Sequence, residues 1–455
     1  MVVADEEEYR RLPAAIAVYR AALALARGEP AGTVRHARRA LDLSLEEDHL
    51  NRASAAGFLG LASWGSGDLE AGHRAYSACV DGLRRAGFIA DILGCSIALA
   101  DIRITQGRLG EAMRTYDQAL QLVPEHAGPV LRGTADMHVG ISEIYCERND
   151  LHAAAQHLLT SQELGEHTGL SQHRYRQRVA MAWVAQAEGN LAGALELLND
   201  AERLYVSDFF PNVRPVPALR ARVWIRQGRI GEALGWAREQ GLSTDDDLCY
   251  LHEFEHITLA RLLLTRHDGQ SAERSVHDAS RLLERLLLAA ELGGRTGHVI
   301  EMLVLRALAH QTLGTPSAAL ATLERAVILA EPEGYVRVFA DEGPPMVSLL
   351  RAAAKQGIRP DYVRGLLAAV STTEHGSPRE QALIEPLSER ELDVLRLLAT
   401  DLDGPAIARE LMVSLNTLRT HTKNIYAKLA VTSRRAAVHR AADLDLEPKA
   451  RSRQP

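Results

Sequence analysis

The residues best suited to chemistry cluster near the end of the chain. Thr420 and Lys423 fall on one side of a helix, flanked by Arg419. Guanidinium and ammonium groups donate to guanine edges or to phosphates, and a threonine touches a base edge or a thymine methyl. Asn416 and Ala427 share that side, flanked by Asn424, and the small Ala427 would let the helix approach a groove closely. The basic residues from Arg409 to Arg440 are Arg409, Arg419, Lys423, Lys428, Arg434, Arg435 and Arg440, against the single acid Glu410. The chain as a whole carries a net charge of -7, which argues against a general polyanion binder. The local reversal is what a duplex would feel.

A second pattern points to an enzyme. His252-Glu-Phe-Glu-His256 fits H-E-x-x-H, the helix spacing of two zinc ligands and a general base. A five-residue pattern arises readily by chance in a chain with 18 histidines, and no H-x-x-G-x-x-H extension follows. Two partly exposed helix histidines beside an inward Phe254 are expected instead. No catalytic residue, metal site or cofactor is expected anywhere. Asp341-Glu-Gly343 and Glu6-Glu-Glu8 are expected as solvated faces or turns. Trp64, Trp183, Trp224 and Trp236 are expected to pack between helices rather than line a ligand groove. The four cysteines, Cys79, Cys95, Cys146 and Cys249, are scattered and expected as buried thiols in a reducing compartment.

Helices must position these groups. Apolar residues make up 46% of the 455 and aromatics only 5%, with Ala and Leu dominant, which favours helix over sheet. One phrase recurs: a turn residue, a small polar or charged residue, an apolar residue and then an Ala. It stands at Gly67-Asp-Leu-Glu-Ala, Gly107-Arg-Leu-Gly-Glu-Ala, Asn149-Asp-Leu-His-Ala-Ala, Gly189-Asn-Leu-Ala-Gly-Ala, Gly228-Arg-Ile-Gly-Glu-Ala and Gly314-Thr-Pro-Ser-Ala-Ala, with a degenerate copy near Asp268-Gly269. The period, roughly 40 residues, predicts stacked helical hairpins. Pro124, Pro211, Pro215 and Pro217 are expected in loops.

The last segment reads as four short helices. Ser388-Glu-Arg-Glu391 is a capping box ahead of Leu392, Val394, Leu395, Leu397 and Leu398. A second helix starts at Pro405 and runs through Ile407, Ala408 and Leu411. Met412-Val-Ser414 turns, and Ser414 caps the third helix. That helix has an anchoring face of Leu415, Leu418, Thr422, Ile425 and Leu429. A fourth starts near Ser433 and carries Ala436, Ala437 and Val438.

Leu387-Ser-Glu-Arg-Glu-Leu-Asp-Val-Leu, Ile407-Ala-Arg-Glu-Leu, Val413-Ser-Leu-Asn-Thr-Leu-Arg-Thr-His421 and Asn424-Ile-Tyr-Ala-Lys-Leu429 together resemble the LuxR-type helix-turn-helix. The resemblance implies Arg419, Thr420 and Lys423 on bases, and Ser414, Asn416, Thr417, His421, Lys428 and Arg434 on phosphates. Departures stand at Asp401, Gly404-Pro405, Ala406 and Ala430; they touch helix ends more than the reading face. Upstream, Leu12-Pro-Ala-Ala-Ile-Ala-Val-Tyr-Arg, Gly297-His-Val-Ile-Glu-Met-Leu-Val-Leu and Ala330-Glu-Pro-Glu-Gly-Tyr-Val-Arg-Val-Phe-Ala-Asp-Glu-Gly343 resemble the helical-repeat domain of large MalT-like regulators. In that family a nucleotide-binding domain precedes the repeats and the repeats bind an inducer. No G-x-x-x-x-G-K-[ST] pattern occurs, so the chain looks like the C-terminal half of such a regulator. A short natural form, a split gene product and a fragment all fit.

The expectation is an all-α protein. A tetratricopeptide-like superhelix over residues 1–370 precedes a linker over 371–386, a LuxR-type helix-turn-helix over 387–447 and a tail over 448–455. The expected function is a transcription regulator that reads promoter DNA and answers to a small-molecule or protein effector on the repeats. RNA polymerase and further copies of the chain are expected partners on DNA. The acidic N-terminus lacks a signal peptide's features and no apolar stretch is long enough to span a membrane, so the cytoplasm is expected. The alternative is a helical-repeat scaffold with a vestigial DNA-binding module.

Overall fold

The computed structural model describes residues 6–123, 131–165, 168–265, 269–374, 389–400, 404–411 and 413–428, with 402, 434 and 437 besides. Every regular element among them is helical. Helices come in pairs. α1 (Glu6–Ala26) packs on α2 (Pro30–Leu43), α3 (His49–Gly65) on α4 (Leu69–Ala86), and α5 (Ile89–Thr105) on α6 (Leu109–Gln121). α7 (Thr134–Glu147) packs on α8 (Leu151–Leu164), α9 (His173–Ala187) on α10 (Leu191–Leu204), and α11 (Val216–Arg226) on α12 (Ile230–Glu239). α13 (Glu253–Leu264) packs on α14 (Gly269–Leu292), and α15 (Thr296–Thr312) on α16 (Pro316–Ala330). α17 (Arg337–Ala340), α18 (Pro344–Lys355) and α19 (Pro360–Glu374) follow. Contacts divide the chain into Met1–Val370 and Ser371–Pro455.

The recurring phrase is the turn inside each hairpin. Gly107 has φ 79°, its N–H donates to the Ile104 carbonyl at 2.9 Å, and the Arg108 N–H donates to the Arg103 carbonyl at 2.8 Å. This left-handed double bond closes the C-terminus of α5 and reverses the chain in a few residues. The same pair of bonds recurs at Gly67, Asn149, Gly189, Gly228 and Gly314. The next residue caps the second helix where it has an oxygen to offer: Asp68 accepts from Ala71 at 3.1 Å, Asp150 from Ala153 at 3.0 Å and Asn190 from Gly193 at 2.9 Å. Ala112, Ala154, Ala194, Ala233 and Ala319, each five residues past its turn, are 0% exposed, so the two helices meet closely there. In the first copy that place belongs to the buried Gly72 and not to Ala71. The degenerate copy at Asp268 lies outside the described residues, as does Pro124. Pro217 is not in a loop: it stands in the first turn of α11, where a missing N–H leaves no bond unmade.

The superhelix turns until late hairpins meet early ones. Trp64 donates its indole N–H to the Tyr250 hydroxyl at 3.1 Å. Glu333 accepts from the Gly110 N–H at 2.7 Å, and Val336 N–H donates to the Glu147 carbonyl at 3.0 Å. Buried charge joins the hairpins inside this turn. Glu301 on α15 accepts from Arg222 on α11 and from Arg261 on α13, both at 2.8 Å. Arg261 also pairs with Glu342, and Arg337 with Asp341. Asp341 and Glu342 do stand in a turn, but not a solvated one: the Glu342 side chain is only 8% exposed. Among the cysteines, Cys79 and Cys146 are buried and Cys95 half-buried, but Cys249 is exposed.

The two arginines beside Glu301 hold its carboxyl at about 2, below the ordinary 4.5, against the opposing push of burial. Its contribution is present in full above pH 4.5 and is lost as pH falls towards 2. Glu301→Gln should cost about 3 kcal/mol by leaving buried guanidinium without its partner. Urea unfolding followed over a pH series checks this: the parent's advantage over the variant should narrow below pH 4.5 and be level between pH 6 and 8.

Candidate functional site

Three helices of the second unit make a small core of their own. α20 (Glu389–Leu398) and α21 (Gly404–Glu410) pack against α22 (Leu415–Lys428). Val394, Leu395 and Leu398 of α20 meet Ile407 and Ala408 of α21, Leu418 and Ile425 of α22, and Ala437. Leu418 is 4% exposed and Ile425 0%, so the anchoring face of α22 is sealed. Tyr426 and Val413 add partly buried surface that the sequence reading did not single out. Leu415 departs from expectation: it is 38% exposed, because it opens the helix at the rim of this core.

The turn before α22 is held by specific bonds. Leu411 N–H donates to Ile407 O and Val413 N–H to Ala408 O, each at 3.0 Å. Arg390, from the start of α20, donates to the Leu411 carbonyl at 2.7 Å. Ser414 Oγ accepts from the Thr417 N–H at 3.1 Å and lies 2.7 Å from the Thr417 hydroxyl. The serine thus caps α22 as its sequence position suggests. Ser388 of the capping box lies outside the described residues.

The side of α22 opposite its anchor faces solvent. Thr420, Lys423 and Asn424 are exposed, with Ser414 and Thr417 exposed at its start and His421 half-buried at its flank. The helix backbone carries Asn416, Arg419 and Lys428, whose side chains lie outside the described residues. Arg434, expected on a phosphate, is bound within the domain. Its guanidinium donates to the carbonyls of Leu398 at 2.8 Å, Thr400 at 2.6 Å and Leu402 at 2.7 Å. It closes the C-terminal end of α20, where free carbonyls collect and a cation is favoured.

The H-E-x-x-H reading meets a different environment. His256 is buried, not partly exposed; its Nδ1 lies 2.9 Å from the His252 carbonyl and its Nε2 3.0 Å from Asp246. Both ring nitrogens are engaged, so neither is open to zinc. His252 pairs with Glu255, and Phe254 is inward as expected. Glu253 is buried and bound by Arg295 and His298, which join α13 to the start of α15. Among the described residues no group of three metal-ligating side chains forms.

A cavity that sequence reasoning missed lies within the superhelix. It encloses about 220 Å³ and is walled mainly by the first helices of successive hairpins: Trp183 of α9, Arg222 and Arg226 of α11, Phe254 and Arg261 of α13, and Glu301 of α15. A neighbouring chamber of about 110 Å³ shares Ile104, Glu143, Trp183 and Arg214 with it. Arg214 stands over the Trp183 ring at 5.4 Å and Arg222 over Phe254 at 3.7 Å. Burial pushes the Glu143 carboxyl up to about 7 and that of Glu147 up to about 8. Burial pulls Arg222 down only to about 10, so it stays charged near neutrality. The wall is therefore net positive at neutral pH. The tryptophans divide: Trp236 is core, Trp64 is buried but lines the smaller chamber, and Trp183 lines both. The available signal was charge in otherwise apolar helices, as at Arg222 and Glu301.

Residues 14–356 match the MalT-like TPR region. The chain belongs to this family. Residues 385–441 of this MalT-like protein match the bacterial regulatory proteins of the luxR family, whose helix-turn-helix is a DNA-binding regulatory domain. Solved structures similar to it include a monomeric mutant of IFIT1 with Gppp-AAAA, at 14% identity over 90% of this chain and 89% of that one, with a TM-score of 0.41. The TPR domain of P58(IPK) matches at 14% identity over 80% of this chain and 99% of that one, with a TM-score of 0.22. Naa15/Naa10 bound to HypK-THB matches at 14% identity over 95% and 79%, with a TM-score of 0.25. No described helix is long and apolar enough to cross a membrane.

Removing the cap of α22 should weaken this domain without touching its core. Ser414→Ala is expected to cost about 1 kcal/mol, and Ser414→Asp to retain most of the parent's stability. Thermal melting of residues 371–455 by circular dichroism checks both.

Proposed function

We propose that this MalT-like protein is a sequence-specific regulator of transcription that seats α22 in the major groove of promoter DNA. Arg419, Thr420 and Lys423 would meet base edges, while Ser414, Asn416, Thr417, His421 and Lys428 would hold phosphates. Arg434 leaves the phosphate set, since its donors are engaged on α20. The observation that carries the reading is the division of α22: Leu418 and Ile425 are sealed in the core while Thr420 and Lys423 face outward. One small basic face binds weakly at cellular salt, so two modules on neighbouring half-sites are part of the proposal. The partners are promoter DNA, further copies of the chain and RNA polymerase, and the place of action is the cytoplasm.

The cavity of the superhelix would hold the effector. It is concave and sets the rings of Trp183, Phe254 and Tyr335 among many converging charged side chains, which would orient a polar small molecule. Because α9, α11, α13 and α15 all contribute, a ligand there would bias how the hairpins stack. The effect on DNA binding would follow from whatever difference in affinity the ligand has for the two stackings.

Selection of bound duplexes from a random pool tests the reading, run with the full chain and with residues 371–455. Recovery of one motif is expected from both; a pool that stays random in both would remove it. Lys423→Ala and Arg419→Ala should each cost about 1–3 kcal/mol on the selected duplex and relax one base preference. Lys428→Ala should weaken all duplexes alike and reduce the salt slope by about one. Fluorescence anisotropy at several salt concentrations separates the two kinds of loss.

A further inference from the structure

The first helix carries two apolar faces of opposite size. Inward, Ala14, Ala17, Ala21 and Ala24 are buried among the neighbouring helices. Outward, Tyr9, Leu12, Ile16, Tyr19 and Leu23 are 48%, 45%, 49%, 76% and 50% exposed. Their spacing alternates three and four residues, which keeps them in one line along the helix. The line is about 21 Å long at ~1.5 Å per residue. α1 turns its larger apolar side chains outward and its smaller ones inward.

We propose that this seam is a self-association surface, on which α1 of a second copy of the chain packs antiparallel. Charge selects both occupant and direction. Glu6 and Glu8 stand beside the start of this line and Arg20 and Arg27 beside its end, whereas Glu7, Arg10 and Arg11 of the first turns lie further round the helix. Parallel copies would set acid beside acid and base beside base. Antiparallel copies set the acidic start of each helix beside the basic end of the other, and their helix dipoles oppose. A two-fold axis lets the same five side chains serve both partners, so one patch closes the assembly without leaving a second exposed. The tyrosine rings cover apolar surface while their hydroxyls reach water at the edge. The pairing would join two DNA-reading modules in one particle, yet it stands on α1 alone and does not depend on how α22 reads a duplex.

Light scattering after size exclusion, across a concentration series of the full chain, tests the proposal. The parent should have twice the chain mass, and Ile16→Glu and Tyr19→Glu should each halve it. Both side chains face solvent, so the variants should keep the parent's helical circular dichroism and melt lower only by what dimerisation adds to the parent. Reversing Glu6 and Glu8 to Arg should lower the dimer fraction, and adding Arg20→Glu with Arg27→Glu should restore it. In a Cys249→Ser background, a mixture of Tyr9→Cys and Leu23→Cys chains should cross-link on mild oxidation, while Tyr9→Cys alone should not. A monomeric parent at every concentration, whatever other protein then covers the seam, would overturn the proposal. So would an Ile16→Glu chain of undiminished mass, or Tyr9→Cys chains that cross-link to themselves as readily as to Leu23→Cys.

Discussion

Two helices that pack side by side bury one stripe each and leave the rest of their apolar surface uncovered. That shortfall governs the superhelix. Each hairpin hides its remainder against the next, so the array must continue, and the tight left-handed turn at Gly107 and its counterparts makes each repeat short enough to stack in register. First helices come to lie on the inside of the curve, where they are enclosed on nearly every side. α13 is the extreme case: Glu253, Phe254, Glu255, His256, Ile257, Thr258, Leu259 and Ala260 are all buried.

Enclosure of that kind forces any inward charge to find a partner. Glu301, Arg222, Arg261 and Glu342 answer by pairing across three hairpins and the segment after α17. The result differs from an apolar core in one respect that matters for function. Ion pairs have definite partners, so a change in how hairpins stack exchanges one set of bonds for another instead of sliding smoothly. Under the proposed reading, a molecule bound in a cavity walled by such pairs would favour one stacking over another.

The DNA-reading unit meets the same shortfall by a different route. Three short helices and the buried Ala437 surround one small core, and α22 needs only one face to anchor itself. Its other face is left for a partner. Arg434 shows how fine the division is. Its position inside a basic stretch suggested a phosphate contact, but carbonyls at the end of α20 lie within reach and engage its donors first. Charge density along the chain reports that a region is basic; it does not report which cations are free.

Local physics was legible in the sequence. Left-handed turns at Gly and Asn, the serine cap of α22, the helical spacing of Leu418 and Ile425, and the close approach at Ala112 and its equivalents all depend on residues within about a turn of one another. The hairpin array and the helix-turn-helix follow from them. What tertiary structure alone decided involves residues far apart in the chain: Trp64 on Tyr250, Glu333 on Gly110, Glu301 between Arg222 and Arg261. The pairing of Glu342 with Arg261, 81 residues away, likewise turned an apparent acidic turn into part of a charged cavity wall. The reason is that burial and partner choice are set by the curvature of the whole superhelix, and no window of sequence contains that curvature.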